Sequence, residues 1–286
     1  MTLEPIDLHH QGRERTIASY LVDTDDGLAL FDCGPTTTIP ALEAGLERYG
    51  LALRDVRHLL LSHIHLDHAG AAGVLVRMQP QLQVHVSEIG APHLVDPSRL
   101  ERSARRLYGD TFDTLWGELA PIPQENIRVV GDRVLGLECF PSRGHAEHHV
   151  CYLDRDGTLY AGDAAGVRIT PGRYVVPPTP PPELDVDAWD ATIAELEDRD
   201  PERLALIHFG VFEDVQRHLA DLQLELDDWS DYGRGGASED EFVRYVRAEL
   251  ENAGSALDDY DRAMPFWQSY RGLARWAERR AASESA

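Results

Sequence analysis

The stretch LLLSHIHLDHAG, residues 59–70, packs three histidines and an aspartate into six positions directly behind a leucine run. The apolar segment VRHLLLS (56–62) reads as a buried strand. In extended chain, side chains two apart point the same way, so His63 and His65 aim at one point just past that strand. Asp67 and His68 fall where the chain turns into the next helix, and they aim at a neighbouring point. Four metal-binding donors with two directions suit two ions better than one. A chain built this way needs more donors delivered to the same place, which calls for a sheet whose strand ends gather on one rim.

Three later segments offer such donors. CFPSRGH brings His145 just after a strand expected at 133–140, with Gly144 permitting a close approach. LYAGD brings Asp163 to the end of a strand at 158–163, and LALIHFG brings His208 to the end of a strand at 203–210. Each signal is weak alone. Together with the first cluster they make five histidines and two aspartates at strand ends or in the loops beyond, where functional residues collect.

The order HxHxDH, then glycine-histidine, then a strand-terminal GD, then a strand-terminal histidine resembles the metallo-β-lactamase superfamily over about residues 16–210. FDCG at 31–34 is similar to the aspartate-glycine turn beneath the site in that superfamily. The resemblance implies an α/β fold, a four-layer αββα sandwich. It implies two divalent metal ions, zinc first, with iron and manganese accepting similar ligands. His63, His65 and His145 would hold one ion, Asp67, His68 and His208 the other, and Asp163 would bridge both. The implied activity is that of a dinuclear metal-dependent hydrolase. A metal-bridging hydroxide attacks a carbonyl-type substrate (ester, lactone or thioester), and Asp67 orients that hydroxide or takes its proton.

The alternative reading is a persulfide dioxygenase-like oxidoreductase with a single iron on His63, His145 and Asp163. A third is a metal-stabilised binding protein without catalysis. Metal content separates the first two. One departure is PSRGH, where many relatives carry threonine-proline-glycine-histidine. Arg143 is therefore expected either to pair with the surplus acid or to meet a substrate anion, the first being favoured. One of His148 and His149 is expected to face the rim, as a partner of the ligands more than as a ligand itself. Tyr152 or Tyr174 are candidates for assisting the carbonyl. Asp32 has two open roles, fixing a ligand histidine's tautomer or stabilising its turn. His9, His10, His58, His85, His93 and His218 are assigned to solvent or ordinary packing.

Strands alternate with helices through the first part of the chain, as an α/β arrangement requires. Residues 98–120 look helical and interrupt that rhythm, so they read as a lid-like insertion or as an element packing on the core or a second copy; as a lid, its aromatics suit an uncharged or acyl-bearing substrate. Residues 1–210 are expected to form the catalytic domain. Residues 211–286 are expected to be a helical C-terminal extension packing on the core or on a second copy, so a homodimer is one use for its apolar faces. The ending AERRAASESA reads as frayed.

The net charge of -23 argues against nucleic acid and anionic membranes as partners and leaves a small-molecule substrate. All 27 basic residues are arginine, which removes lysine chemistry. Cys33, Cys139 and Cys151 are far apart and lack CxxC spacing, so they read as small buried residues. No signal-peptide pattern and no apolar run of membrane length occur, and the expected location is the cytoplasm.

Overall fold

The computed structural model describes residues 4–284, so the extreme ends of the expected ranges, 1–3 and 285–286, lie outside it. The strands are β1 (Ile6–Asp7), β2 (Ala18–Thr24), β3 (Gly27–Phe31), β4 (Val56–Leu60), β5 (Gln83–Val86), β6 (Ile127–Val129), β7 (Arg133–Val134), β8 (Leu137–Pro141), β9 (Val150–Leu153), β10 (Thr158–Gly162), β11 (Arg203–Leu206) and β12 (Gly210–Phe212). The helices are α1 (Ile39–Arg48), α2 (Leu66–Ala69), α3 (Ala72–Met78), α4 (Ala91–Val95), α5 (Ser98–Tyr108), α6 (Phe112–Leu115), α7 (Val186–Asp198), α8 (Val215–Gly235), α9 (Glu239–Asn252), α10 (Leu257–Ala263) and α11 (Phe266–Glu284).

The strands form two mixed six-stranded sheets, ordered β1-β2-β3-β4-β5-β6 and β12-β11-β10-β9-β8-β7. In the first, β1 to β3 are antiparallel and β3 to β6 run parallel. In the second, only β10 and β11 are parallel. The two-residue period of extended chain sorts the side chains. Along β9, Val150 and Tyr152 join the core shared with the first sheet, while Cys151 faces the core under the helices. Along β10 and β11, Tyr160 and Ala205 face inward, and Leu159, Leu204 and Leu206 outward.

Four aromatic rings bridge the sheets: Phe31 lies 6.0 Å from Tyr152 and 5.3 Å from Tyr160, and Tyr20 lies 6.2 Å from Tyr160. Two buried hydroxyls are satisfied across the same gap, as buried polar groups must be. Tyr20 donates to the Leu206 carbonyl at 2.7 Å, and Tyr152 donates to the Leu61 carbonyl at 3.0 Å. Helices α1 and α3 cover the first sheet through Leu42, Leu46 and Leu75. Helices α7, α8, α9 and α11 share one core with the second sheet through Trp189, Leu222, Phe242 and Leu273. The result is the αββα sandwich, with a helical insertion and a helical C-terminal part.

Several local expectations change. The strand expected over 133–140 is a hairpin, because Leu135 at φ 52° and Gly136 at φ 91° turn the chain back. The strand expected over 203–210 ends at Leu206, and the chain reverses so that Gly210 pairs back onto Leu206. His208 sits in that reversal. Short β1 and α10 carry no periodic signal, and the sequence does not predict them. Helix α11 continues through Glu284, past the start of the segment expected to fray. Ser238 caps α9 through a capping box with Glu241, as its position before an apolar run suggests.

Candidate metal centre

Strand β4 ends at Leu60, and the chain then runs through Ser62 to His63 and His65 before α2 begins. Asp67 and His68 therefore ride on the first turn of α2. His63 Nε2 and His145 Nε2 each lie 2.9 Å from His65 Nδ1. Asp67, His68 and His208 form a second trio. Asp67 Oδ2 lies 3.4 Å from His208 Nε2 and 3.8 Å from His68 Nε2. Asp163 stands between the trios. Its Oδ2 is 3.2 Å from His145 Nε2, and its Oδ1 is 3.3 Å from His68 Nε2 and 3.7 Å from His208 Nε2. All seven residues named from the sequence converge.

The far side of each ring decides what the near side offers. His145 Nδ1 donates to the Pro178 carbonyl at 2.7 Å, and His208 Nδ1 donates to the Thr16 carbonyl at 2.6 Å. His68 Nδ1 donates to Asp32 Oδ2 at 2.7 Å. With Nδ1 carrying the proton, each neutral ring turns a lone pair at Nε2 onto a carboxylate oxygen. Lone pair facing lone pair is repulsive unless a cation lies between. His68 Nε2 and Asp163 Oδ1 are buried without a hydrogen-bond partner among the described residues. The donor set is nitrogen and carboxylate oxygen, which is what divalent zinc or iron accepts. The residues fit a pair of metal ions.

Protons compete with metal ions for the positions facing the carboxylates. Burial, reinforced by the surrounding histidines, holds His63 well below the ordinary imidazole value and His65 at about 3. Burial also lowers His145, against the pull of Asp163. Burial opposes protonation of His68 and His208 too, yet Asp163 and Asp67, with Asp32 beside His68, hold both above the ordinary value. Asp67 and Asp163 are held low by the facing histidines despite their burial.

The scaffold behind the ligands is equally specific. Asp32 performs both roles left open by the sequence: Oδ1 accepts from the Ser62 backbone at 2.8 Å, while Oδ2 accepts from the Ser62 hydroxyl and from His68. His149 Nε2 accepts the Asp163 backbone N–H at 3.1 Å, so its Nδ1 carries the proton toward Ser142 Oγ at 2.7 Å. Gly144, beside His145, has φ +132° and touches Trp189, whose indole donates to the Ala164 carbonyl at 2.8 Å. The Pro178–Thr179 segment that holds His145 is itself braced by α11. Thr179 Oγ1 donates to the Ser269 carbonyl, and a Cβ on Gly272 would lie 1.9 Å from the Thr179 oxygen.

The pattern of the Metallo-beta-lactamase superfamily matches residues 12–210. The chain belongs to that superfamily. It is 27% identical over 192 residues to the metallo-beta-lactamase fold-containing protein ST1585 of Sulfurisphaera tokodaii, covering 63% of this chain and 71% of that one. Its fold is similar to that of the metallo-beta-lactamase family protein TTHA1429 from Thermus thermophilus, with a TM-score of 0.71 at 20% identity. That match spans 98% of this chain and 93% of the other, so it takes in the terminal helices. TTHA1623, solved in a di-iron-bound form, matches with a TM-score of 0.56 at 24% identity over 73% of this chain and 94% of its own.

On this metallo-β-lactamase scaffold the metal-binding rim opens into a cavity of 790 Å³. Leu107, Tyr108, Leu115 and Trp116 of the 98–120 segment line it, as do Met264 and Gln268 from the C-terminal helices. The segment is also packed: Phe112 is fully buried, and Thr37 and Thr36 donate to the carbonyls of Leu115 and Glu118. Arg143 is exposed and does not line the cavity. Tyr152 is spent on Leu61, and Tyr174 donates to Glu225 at 2.5 Å, so neither tyrosine reaches a substrate carbonyl. His148 lines the cavity with Nε2 3.3 Å from Glu183, and His149 lies behind the ligands.

His10, assigned from the sequence to packing or solvent, in fact lines the cavity, buried and stacked on Trp116 at 5.4 Å. Burial lowers it to about 4 against the raising effect of Asp67, so it is neutral near pH 7. The only sequence signal is a histidine pair in a glycine-containing loop before a strand. His93 also lines the cavity. His58 and His85 pair with each other at 3.1 Å on neighbouring strands outside it, and His218 donates to the Ala165 carbonyl. No helix among the described residues is long and apolar enough to cross a membrane.

Proposed function

We propose that this protein is a dinuclear metal-dependent hydrolase of a small carbonyl-type substrate, an ester, lactone or thioester. The observation that carries the reading is the pair of donor trios with one Asp163 oxygen turned to each. Its superfamily includes hydrolases and di-iron proteins. His63, His65 and His145 would hold one ion and Asp67, His68 and His208 the other, with Asp163 available to both. When bound, two such ions lower the pKa of a shared water toward neutrality and polarise the substrate oxygen.

The chain's own groups do the rest. Asp67 lines the cavity and is kept anionic by His68 and His208, so it accepts a hydrogen bond from the attacking water and orients it. The outer hydrogen bonds from Asp32, Thr16 and Pro178 hold the ligand rings in one tautomer. Leu107, Leu115 and Trp116 line the cavity beside the site and lower the local polarity, which strengthens charge–charge interactions there. Zinc and iron both suit the donor set, and the di-iron form of TTHA1623 keeps iron in contention.

The test is metal analysis joined to a substrate panel of a lactone, a thioester, a β-lactam and a phosphodiester. The expected result is about two ions per chain, with lactone or thioester turnover that a chelator abolishes and metal restores. One iron per chain with oxygen consumption on a persulfide would replace this reading with the mononuclear oxidoreductase. Metal-dependent turnover of the phosphodiester alone would also overturn it.

A further inference from the structure

Beyond the metal ligands, three residues of the cavity wall carry a buried nitrogen with no hydrogen-bond partner. His10 Nδ1, Trp116 Nε1 and Gln268 Nε2 are all buried and lack a partner among the described residues. They belong to one continuous wall. His10 stacks on Trp116, Trp116 meets Tyr108 edge-on at 5.1 Å, and the Tyr108 hydroxyl reaches Gln268 Oε1 at 3.4 Å. That last contact uses the amide oxygen of Gln268 and leaves its NH₂ free. An indole N–H can only donate. Unpaired buried donors cost free energy unless a ligand supplies acceptors.

The same cavity carries arginines beside carboxylates, for Glu147 and Glu183 line it together with the two aspartates of the metal site. Arg99 lies four residues before Ser103 and Arg106 three after it on α5, and all three line the cavity. Arg275 lies seven residues after Gln268 on α11, on the same helical face, and lines it too. These three arginines are exposed and make no ion pair with a described residue, whereas Arg77 and Arg168 pair with Glu118 and Asp214. The ligand cluster is at the buried end of the cavity and the free arginines at its open end. Apolar Leu100, Leu107 and Met264 also line it.

We propose that the substrate is anionic: a carbonyl compound whose acyl part carries an oxyanion, a carboxylate or a phosphate. Arg99, Arg106 and Arg275 supply the matching charge, and the unpaired N–H groups of Trp116 and Gln268, beneath the surface of the wall, turn to its oxygens as it binds. This rests on the hydrolase reading of the site and narrows its substrate class. Of the uncharged or acyl-bearing substrate expected under the lid, it keeps the acyl group and adds a charge.

The test is calorimetric binding of three non-hydrolysable amides to the full-length, metal-replete protein: N-methylbutanamide, N-methylglutaramic acid and N-methyl-4-phosphonobutanamide. An anionic probe is expected to bind on the order of 10-fold or more tightly than the neutral one, and comparing the two anions separates carboxylate from phosphate. Trp116→Phe, which keeps the ring and removes the donor, and the pair Arg106→Ala with Arg275→Ala are each expected to narrow that gap. Equal binding of charged and neutral probes overturns the proposal, and so does a gap that survives in both variants, since the metals alone would then account for it. Binding does not require turnover: a preserved gap without hydrolysis of any ester rejects only the hydrolase reading, and hydrolysis without a gap rejects only this one.

Discussion

Asp32 Oδ2 accepts a hydrogen bond from His68 Nδ1 at 2.7 Å, with neither side chain exposed. That contact makes His68 present Nε2 to Asp163 and Asp67. Asp32→Asn removes the charge while keeping the volume. Affinity for the ion on the Asp67, His68 and His208 side is expected to fall about 10–100-fold, with the other ion less affected. Competition against a chromophoric chelator measures this, and two ions held as tightly as in the parent would reject the role.

Gly144→Ala tests the close approach beside His145. The new Cβ would sit 2.3 Å from Trp189 Cβ and 2.5 Å from its Cα, at a φ that side chains disfavour. The expected loss is about 2–4 kcal/mol in urea unfolding, with weaker metal retention. An unchanged midpoint would mean that α7 yields freely.

His149→Ala leaves the Asp163 backbone N–H buried without its acceptor. The cost expected from that group alone is about 1–3 kcal/mol. Because Asp163 faces both trios, metal affinity should drop along with the unfolding midpoint. A variant less stable but with parental affinity would limit His149 to packing.

Glu225 provides a pH test far from the metals. Burial, with Asp228 and Glu249 nearby, raises its pKa from 4.5 to about 7. A carboxyl raised on folding binds its proton more tightly in the native state, so its contribution is fully present below 4.5 and is lost as pH rises through about 7. Glu225→Gln stays neutral at every pH and keeps an acceptor for Tyr174. The variant should therefore gain melting temperature over the parent above neutrality and lose that advantage in acid. Parallel curves would discard the assignment.

Replacing 98–120 with a short flexible linker should abolish turnover while leaving metal content intact. Loss of metal along with activity would show that the segment holds up the ligand scaffold. Unchanged turnover would remove it from the substrate's path.

The ligand residues are legible in the sequence because metal chemistry admits few donor types, and because strand ends are marked by apolar runs that stop at His63, Asp163 and His208. The β2–β3 hairpin is legible for the same local reason, a turn-rich DTDDG between two apolar runs. What stays hidden depends on convergence from afar. Leu135 occupies a left-handed turn that nothing in its type announces. His10, Trp116 and Gln268 meet across most of the chain's length, and each looks ordinary among its sequence neighbours. Asp32 is ambiguous in the sequence because its partners, Ser62 and His68, lie 30 and 36 residues away.

The contact of Gly272 with Thr179 has a wider meaning. The carbonyl that fixes His145 belongs to the residue just before, so the closing helix buttresses the floor of the ligand cluster as well as forming part of the ceiling. Exchanging that helix between relatives to change what they recognise would also disturb the footing of a ligand, and grafts of this kind should succeed only when the proline-rich segment travels with the helix.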